Sequence, residues 1–320
     1  MDVLHINSSD NRGGAARGSY RIHKALDKYK INLNINSKMR VIDSKMEDST
    51  IVGGPPINTH KIWTKLVPYL NRVSRSGFRT YNPIIHSTNW INTGLGSELK
   101  KRYKKNKDEI INLYWIGDIV ISINEISKIK QPLVWTLFDQ WAFCGAEHYV
   151  NPINEFASNN KLRYEEGYLK RNRAKEEKGL DINRLVWEQK KKLFKSPINI
   201  ICPSQWMANC ARNSSLMRTW PIEVIPIPLD LELYSPIEKT LARKILKLPL
   251  NKTLILFGAI GGTKDPRKGS DLLFKALKIL KEKENNNANL SNLEIIVFGG
   301  SKNIQSSLNF YPTHYFGHLY

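Results

Sequence analysis

Residues 1–29, MDVLHINSSDNRGGAARGSYRIHKALDKY, decide the class of fold. Residues 3–6 form a short apolar run of strand length, and Ile22, Ala25, Leu26 and Tyr29 then recur at helical spacing on one face. Between them lies Asn11-Arg12-Gly13-Gly14-Ala15-Ala16-Arg17, so the chain opens as strand, glycine loop, helix. The same alternation continues outward. Strands are predicted at 110–115, 133–137, 198–201 and 222–225, with amphipathic segments between them. Apolar strands joined by crossover helices make a parallel sheet, which gives an α/β class.

Residues 221–236 carry Pro221, Pro226, Pro228 and Pro236 and break the periodicity, because proline lacks the donor that a helix or central strand needs. This sets the expected organisation: a first domain over 1–225, a linker over 226–238, and a second α/β unit over 239–320. The second unit reads as a helix near 239–246, a strand at 253–257, a glycine-rich loop, a helix at 270–283, and strands at 293–298 and 314–316. A nucleotide-binding Rossmann unit usually has five or six strands, so this second unit reads as partial.

The 320 residues are 41% hydrophobic, enough to build a core, which excludes a disordered chain. A formal charge of +20 points to anionic partners: phosphates, nucleotides, acidic lipid headgroups or nucleic acid. The N-terminus does not resemble a signal peptide, and no apolar run is long enough to span a bilayer. The expectation is a cytoplasmic protein, at most peripheral at the inner membrane surface. Cys144, Cys202 and Cys210 lack metal-ligand spacing and read as reduced thiols, with no metal site. The basic runs 100–107 and 190–195 read first as solvated helix faces.

Three stretches could carry chemistry. Gly13 and Gly14 allow a ligand close to the backbone at a helix start, where free N–H groups favour an anion or a sugar hydroxyl; a plain turn is the alternative. Gly261-Gly262-Thr263-Lys264-Asp265-Pro266-Arg267-Lys268-Gly269 sets cations beside a helix N-terminus, which suits a diphosphate; a surface turn shaped by Pro266 and Gly269 is the alternative. The third stretch, WTLFDQWAFCGAEHY from Trp135 to Tyr149, follows a central strand and brings Asp139, Trp141, Glu147, His148 and Tyr149 to the end of the sheet where ligands bind. Its structural alternative is an aromatic plug under the loop, with Asp139 capping the next helix and His148 satisfied internally.

These stretches, in this order and with Cys202-Pro203-Ser204-Gln205-Trp206-Met207 and Val224-Ile225-Pro226-Ile227-Pro228-Leu229-Asp230 between them, resemble family-four glycosyltransferases along the whole chain. The resemblance implies a GT-B fold, two Rossmann-like domains facing a cleft, with the second incomplete here. It implies retaining, metal-independent hexosyl transfer from a nucleotide sugar, which serves as co-substrate without any cofactor. The acceptor would be a polysaccharide or lipid-linked glycan. The basic surface would favour peripheral contact with an anionic membrane, and no nucleic acid is expected as a partner. By the same resemblance Asp139 is the catalytic residue facing the sugar, and Lys264, Arg267, Lys268 and Gly269 hold the donor diphosphate. Gly13 and Gly14 form the cleft loop, and Trp141, Glu147, His148 and Tyr149 contact acceptor or sugar.

Departures from the family pattern support a second reading. Phe138 stands where a histidine is usual, Tyr114 where another histidine is usual, and Ile227 where an asparagine is usual. Phenylalanine neither donates nor accepts a hydrogen bond. The family's paired glutamates, which grip the donor, would lie beyond Tyr320. The alternative is therefore a noncatalytic, truncated remnant of such an enzyme. A basic nucleic-acid binder is a third reading, weakened by the lack of any recognisable module.

Overall fold

A computed structural model of the chain describes residues 1–56, 61–74, 78–79, 86–117, 119–150, 161–175, 177–258, 266–283, 292–299 and 310–317. The chain forms two compact units, Met1–Asp230 and Leu231–Tyr320.

Unit 1 is built on a sheet of seven strands: β1 (Asp2–Ser9), β2 (Asn36–Asp43), β3 (Ile51–Val52), β4 (Ile110–Leu113), β5 (Leu133–Thr136), β6 (Asn199–Cys202) and β7 (Ile222–Val224). Their order is β3-β2-β1-β4-β5-β6-β7, and every pairing is parallel. The order reverses between β1 and β4, which makes the ends of those strands the place where an open α/β sheet offers a crevice. The sequence does not announce β2. Its Arg40 is buried, but the charge is met by Glu98 (Nε to Oε1, 3.0 Å) and by the carbonyls of Val41, Gly54 and Pro55. A partner 58 residues away neutralises what a local reading takes for a solvent-facing cation.

The two faces of this sheet differ. Leu4 and Ile6 of β1 enter an apolar core with Leu95, Leu99, Ile111, Leu113 and Ile123. The alternate residues face helix Gly14–Lys28, whose buried side is Ala16, Gly18, Ser19 and His23. There the contacts are polar. His5 bonds Tyr114 (2.7 Å) and Ser37 (3.0 Å), Ser37 bonds His23 (2.8 Å), and His23 bonds Thr50 (2.7 Å). Asn7 donates to Ser19, and Asn112 joins Tyr114 to Thr136. Burial, with His23 nearby, pushes His5 down to about 3, and burial lowers His23 as well. Both rings are held neutral in this layer, where proton-sharing partners satisfy their nitrogens.

Glu125 ties two helix starts together. Its carboxylate accepts from the backbone of Ser122 in its own capping box and from Thr93, Gly94 and Gly96 at the start of helix Leu95–Lys105.

Unit 2 has a parallel sheet of β8 (Thr253–Gly258), β9 (Leu293–Phe298) and β10 (Thr313–Gly317). Helix Ser270–Lys283 packs Leu277 against Leu293, Ile295 and Val297. Helix Lys239–Ile245 begins at Glu238, whose carboxylate accepts from the backbone of Thr240 and Leu241.

Candidate functional site

The C-terminal ends of β4 and β5 deliver Tyr114, Trp115, Phe138 and Asp139, and the turn after Asp139 returns with His148. Asp139 is buried, and each of its carboxylate oxygens has a protein partner. Its Oδ1 accepts from the backbone N–H of Trp141 (3.1 Å), and its Oδ2 lies 2.6 Å from His148 Nδ1. That short contact places a proton on Nδ1, which donates to Asp139, while Nε2 shares a hydrogen bond with the Ser87 hydroxyl at 2.8 Å. Trp115 Nε1–H approaches the same Nδ1 at a longer 3.2 Å. Carboxylate, imidazole and serine hydroxyl are thus linked in the order of a hydrolytic triad. Ser87 is only 2% exposed, however, and its backbone N–H is given to the Ala146 carbonyl, so the linkage works here as a lock on the ring.

Trp141 and Glu147 also turn inward. The Trp141 indole donates to the Ser87 carbonyl (2.8 Å), and its ring stacks near His148 with centroids 6.2 Å apart. Glu147 accepts from the Tyr168 hydroxyl while its Oε2 has no hydrogen-bond partner, and burial raises its pKa. Tyr149 is half-buried. Of the four residues expected to contact acceptor or sugar, Trp141, Glu147 and His148 therefore touch protein. The arrangement is that of the aromatic plug.

A residue absent from the sequence expectations organises this plug. Lys190, from helix Ile182–Leu193, is fully buried. Its ammonium donates to the carbonyls of Trp141, Cys144 (3.1 Å) and Gly145 (2.7 Å) and sits 3.6 Å from the centre of the Trp141 ring. Burial pushes it down to about 7. The run 190–195 reads as a solvated face because Lys191, Lys192 and Lys195 are exposed; the first lysine of the run is the exception. Only the helical phase distinguishes it, one turn beyond the buried Val186 and Trp187.

Phe138 is half-buried and stacks on Tyr114 with ring centroids 5.8 Å apart and planes 21° apart. Its ring also reaches helix Gly14–Lys28 at Gly18, where an added Cβ would lie 2.8 Å from the ring tip. Gly18 is what lets the ring in. A glycine inside a helical pattern was the available signal for such a close approach.

Gly13 has φ +96 and sits at the cap of helix Gly14–Lys28, a backbone conformation that side chains rarely adopt. Added Cβ atoms at Gly13 and Gly14 would meet nothing within 4 Å, so the loop faces open space.

In unit 2, Arg267 and Lys268 are exposed in a 3-10 turn, followed by Gly269 at φ +71 and helix Ser270–Lys283. The two cations therefore precede a helix N-terminus, where anions are favoured. Lys264 lies outside the described residues. Among the described residues no cluster of three His, Cys, Asp or Glu side chains is placed to hold a metal ion. Cys144, Cys202 and Cys210 are buried free thiols.

No family model matches the chain, and no curated protein matches it. Solved structures match it along its length. One, described as trehalose-6-phosphate from E. coli bound with UDP-2-fluoro glucose, is 11% identical with a TM-score of 0.50, covering 100% of this chain and 74% of that one. The fold is GT-B. An OtsA apo structure is 12% identical (TM-score 0.49; 100% and 74% covered), and a TarM mutant from S. aureus in complex with fondaparinux, alpha-GlcNAc-glycerol and UDP is 10% identical (TM-score 0.49; 99% and 77% covered). At such identities the likeness concerns the GT-B fold. Among the described residues no helix is long and apolar enough to cross a membrane.

Proposed function

We propose that the chain is a nucleotide-sugar-dependent glycosyltransferase of the retaining, metal-independent, family-four kind, transferring a hexose to a polysaccharide or lipid-linked acceptor at the cytoplasmic side of a membrane. The observation that carries this reading is the Arg267-Lys268-Gly269 turn leading into helix Ser270–Lys283 on a GT-B fold. When the bond to the sugar breaks, the departing nucleoside diphosphate gains negative charge. Fixed cations and helix N–H groups stabilise that charge more in the transition state than in the ground state. In unit 1 the open loop at Gly13 and Gly14 leaves room for a sugar, and Asp139 with His148 stands after β5 of the same unit.

The test is titration calorimetry with UDP- and GDP-sugars. Lys268→Ala should weaken donor binding about tenfold or more, the scale of one charge-assisted contact. Absence of binding heat from the intact folded chain would sink the proposal.

One observation favours the noncatalytic reading instead. Phe138 is packed between Tyr114 and Gly18, so an apolar ring occupies the position where the family resemblance expects a hydrogen-bonding histidine. A chain that binds a donor yet releases no nucleoside diphosphate with any glycan or lipid-linked acceptor would be such a form.

A further inference from the structure

Helix Lys61–Ser74, KIWTKLVPYLNRVS, takes no part in the site and has an unusual division of its surface. One side is anchored to unit 1. Val67 and Asn71 are buried, and the Ser74 hydroxyl bonds that of Thr88 at 2.8 Å. The other side is apolar and exposed: Leu66 is 41% exposed, Tyr69 60% and Val73 48%. The 3.6-residue repeat gathers Leu66, Tyr69 and Val73 into one stripe, with exposed Lys65 and Arg72 along its edge and Trp63 at the border of the anchored side. Trp63 is held in place at the helix start, its indole donating to the Asn92 carbonyl at 3.0 Å.

Charge narrows the choice of partner. Residues 49–97 contain no Asp or Glu and five cations, Lys61, Lys65, Arg72, Arg75 and Arg79. Aliphatic and aromatic side chains on one stripe with cations at its edge are the composition of a helix that lies in the plane of a bilayer surface. Acidic headgroups complement the cations, while acyl chains receive Leu66 and Val73. A nucleic acid would use the cations and the two aromatic rings but would leave the aliphatic residues in water.

We propose that helix Lys61–Ser74 is a membrane-docking element that seats unit 1 on an anionic lipid surface, with Leu66, Tyr69 and Val73 inserted at the headgroup boundary and Lys65 and Arg72 on acidic headgroups. Docking by this face requires no turnover and stands apart from the enzymatic reading.

Vesicle flotation of the full chain tests it. The chain should float with vesicles of phosphatidylglycerol and phosphatidylcholine in equal parts and remain below with phosphatidylcholine alone. Leu66→Asp with Tyr69→Asp should weaken flotation roughly tenfold or more, because both the apolar insertion and the charge match are lost. Its circular dichroism and its nucleotide-sugar binding should be unchanged, since neither residue contributes to the core or the site. Lys65→Gln with Arg72→Gln should weaken flotation less and only at low salt. The proposal is overturned if the unmodified chain does not float with anionic vesicles, or if the Asp variant floats as well as the parent. It is also overturned if the Asp variant loses binding to a single-stranded oligonucleotide while keeping its binding to vesicles.

Discussion

The sheet of unit 1 is covered on both faces, by an apolar core on one side and a hydrogen-bonded polar layer on the other, whereas among the described residues of unit 2 one helix packs on the sheet and Leu256 is 63% exposed. The difference extends to the residues that matter for function. In unit 1, Asp139, His148 and Lys190 are held by interior contacts from several segments. In unit 2, Arg267 and Lys268 stand at the surface of a short turn. Perturbing the first set should therefore register as lost stability, and perturbing the second as lost binding.

The sharpest break would come from Lys190→Ala. Three buried carbonyls would lose their donor, at a cost of about 3–5 kcal/mol in urea unfolding followed by tryptophan fluorescence. A cost below about 1 kcal/mol would mean that the plug is not held by this side chain.

The polar layer makes unit 1 sensitive to acid. Unfolded histidine takes up a proton below about pH 6.5, whereas His5 in the folded chain resists until about 3, so the unfolded state binds more protons between these values. Stability should fall with pH through that window, by about 2 kcal/mol at pH 5 relative to pH 7.5 from His5 alone. His23, lowered in the same direction, should add to it. Comparing urea midpoints at the two pH values checks this; a His5→Asn variant should show a shallower slope.

A smaller effect is expected at Gly18. Gly18→Ala should destabilise unit 1 by about 1–2 kcal/mol through contact with Phe138, and Phe138→Leu should relieve most of that cost. Additive effects in the double-mutant cycle would show that the two positions do not touch. Smallest of all, Leu256→Lys in unit 2 should change stability by less than about 0.5 kcal/mol, because the side chain is largely in water already. A large loss would show that something covers that face.

Much of the fold was legible in the sequence because β1, β4, β5, β6 and β9 each carry a short apolar run of strand length. Strand β2 was not, since Arg40 becomes an interior residue only through Glu98. At the site, the turn from Asp139 to His148 could be located from residue type and position after a strand. Which way its side chains face could not, because that depends on Ser87 and Lys190, which lie 61 and 42 to 49 residues away, the latter span running from His148 back to Trp141.

The fit between Phe138 and Gly18 also bears on how this sequence can change over time. Any side chain at position 18 meets the ring, so the glycine has to be in place before, or together with, the phenylalanine. Once the ring is seated, replacing Phe138 with a smaller polar residue leaves a gap beside Gly18 and a bare face on Tyr114, so such a replacement is impeded until neighbouring positions change as well. The pair acts as a ratchet: each residue is tolerable because of the other, and substitutions at these two positions should be inherited together.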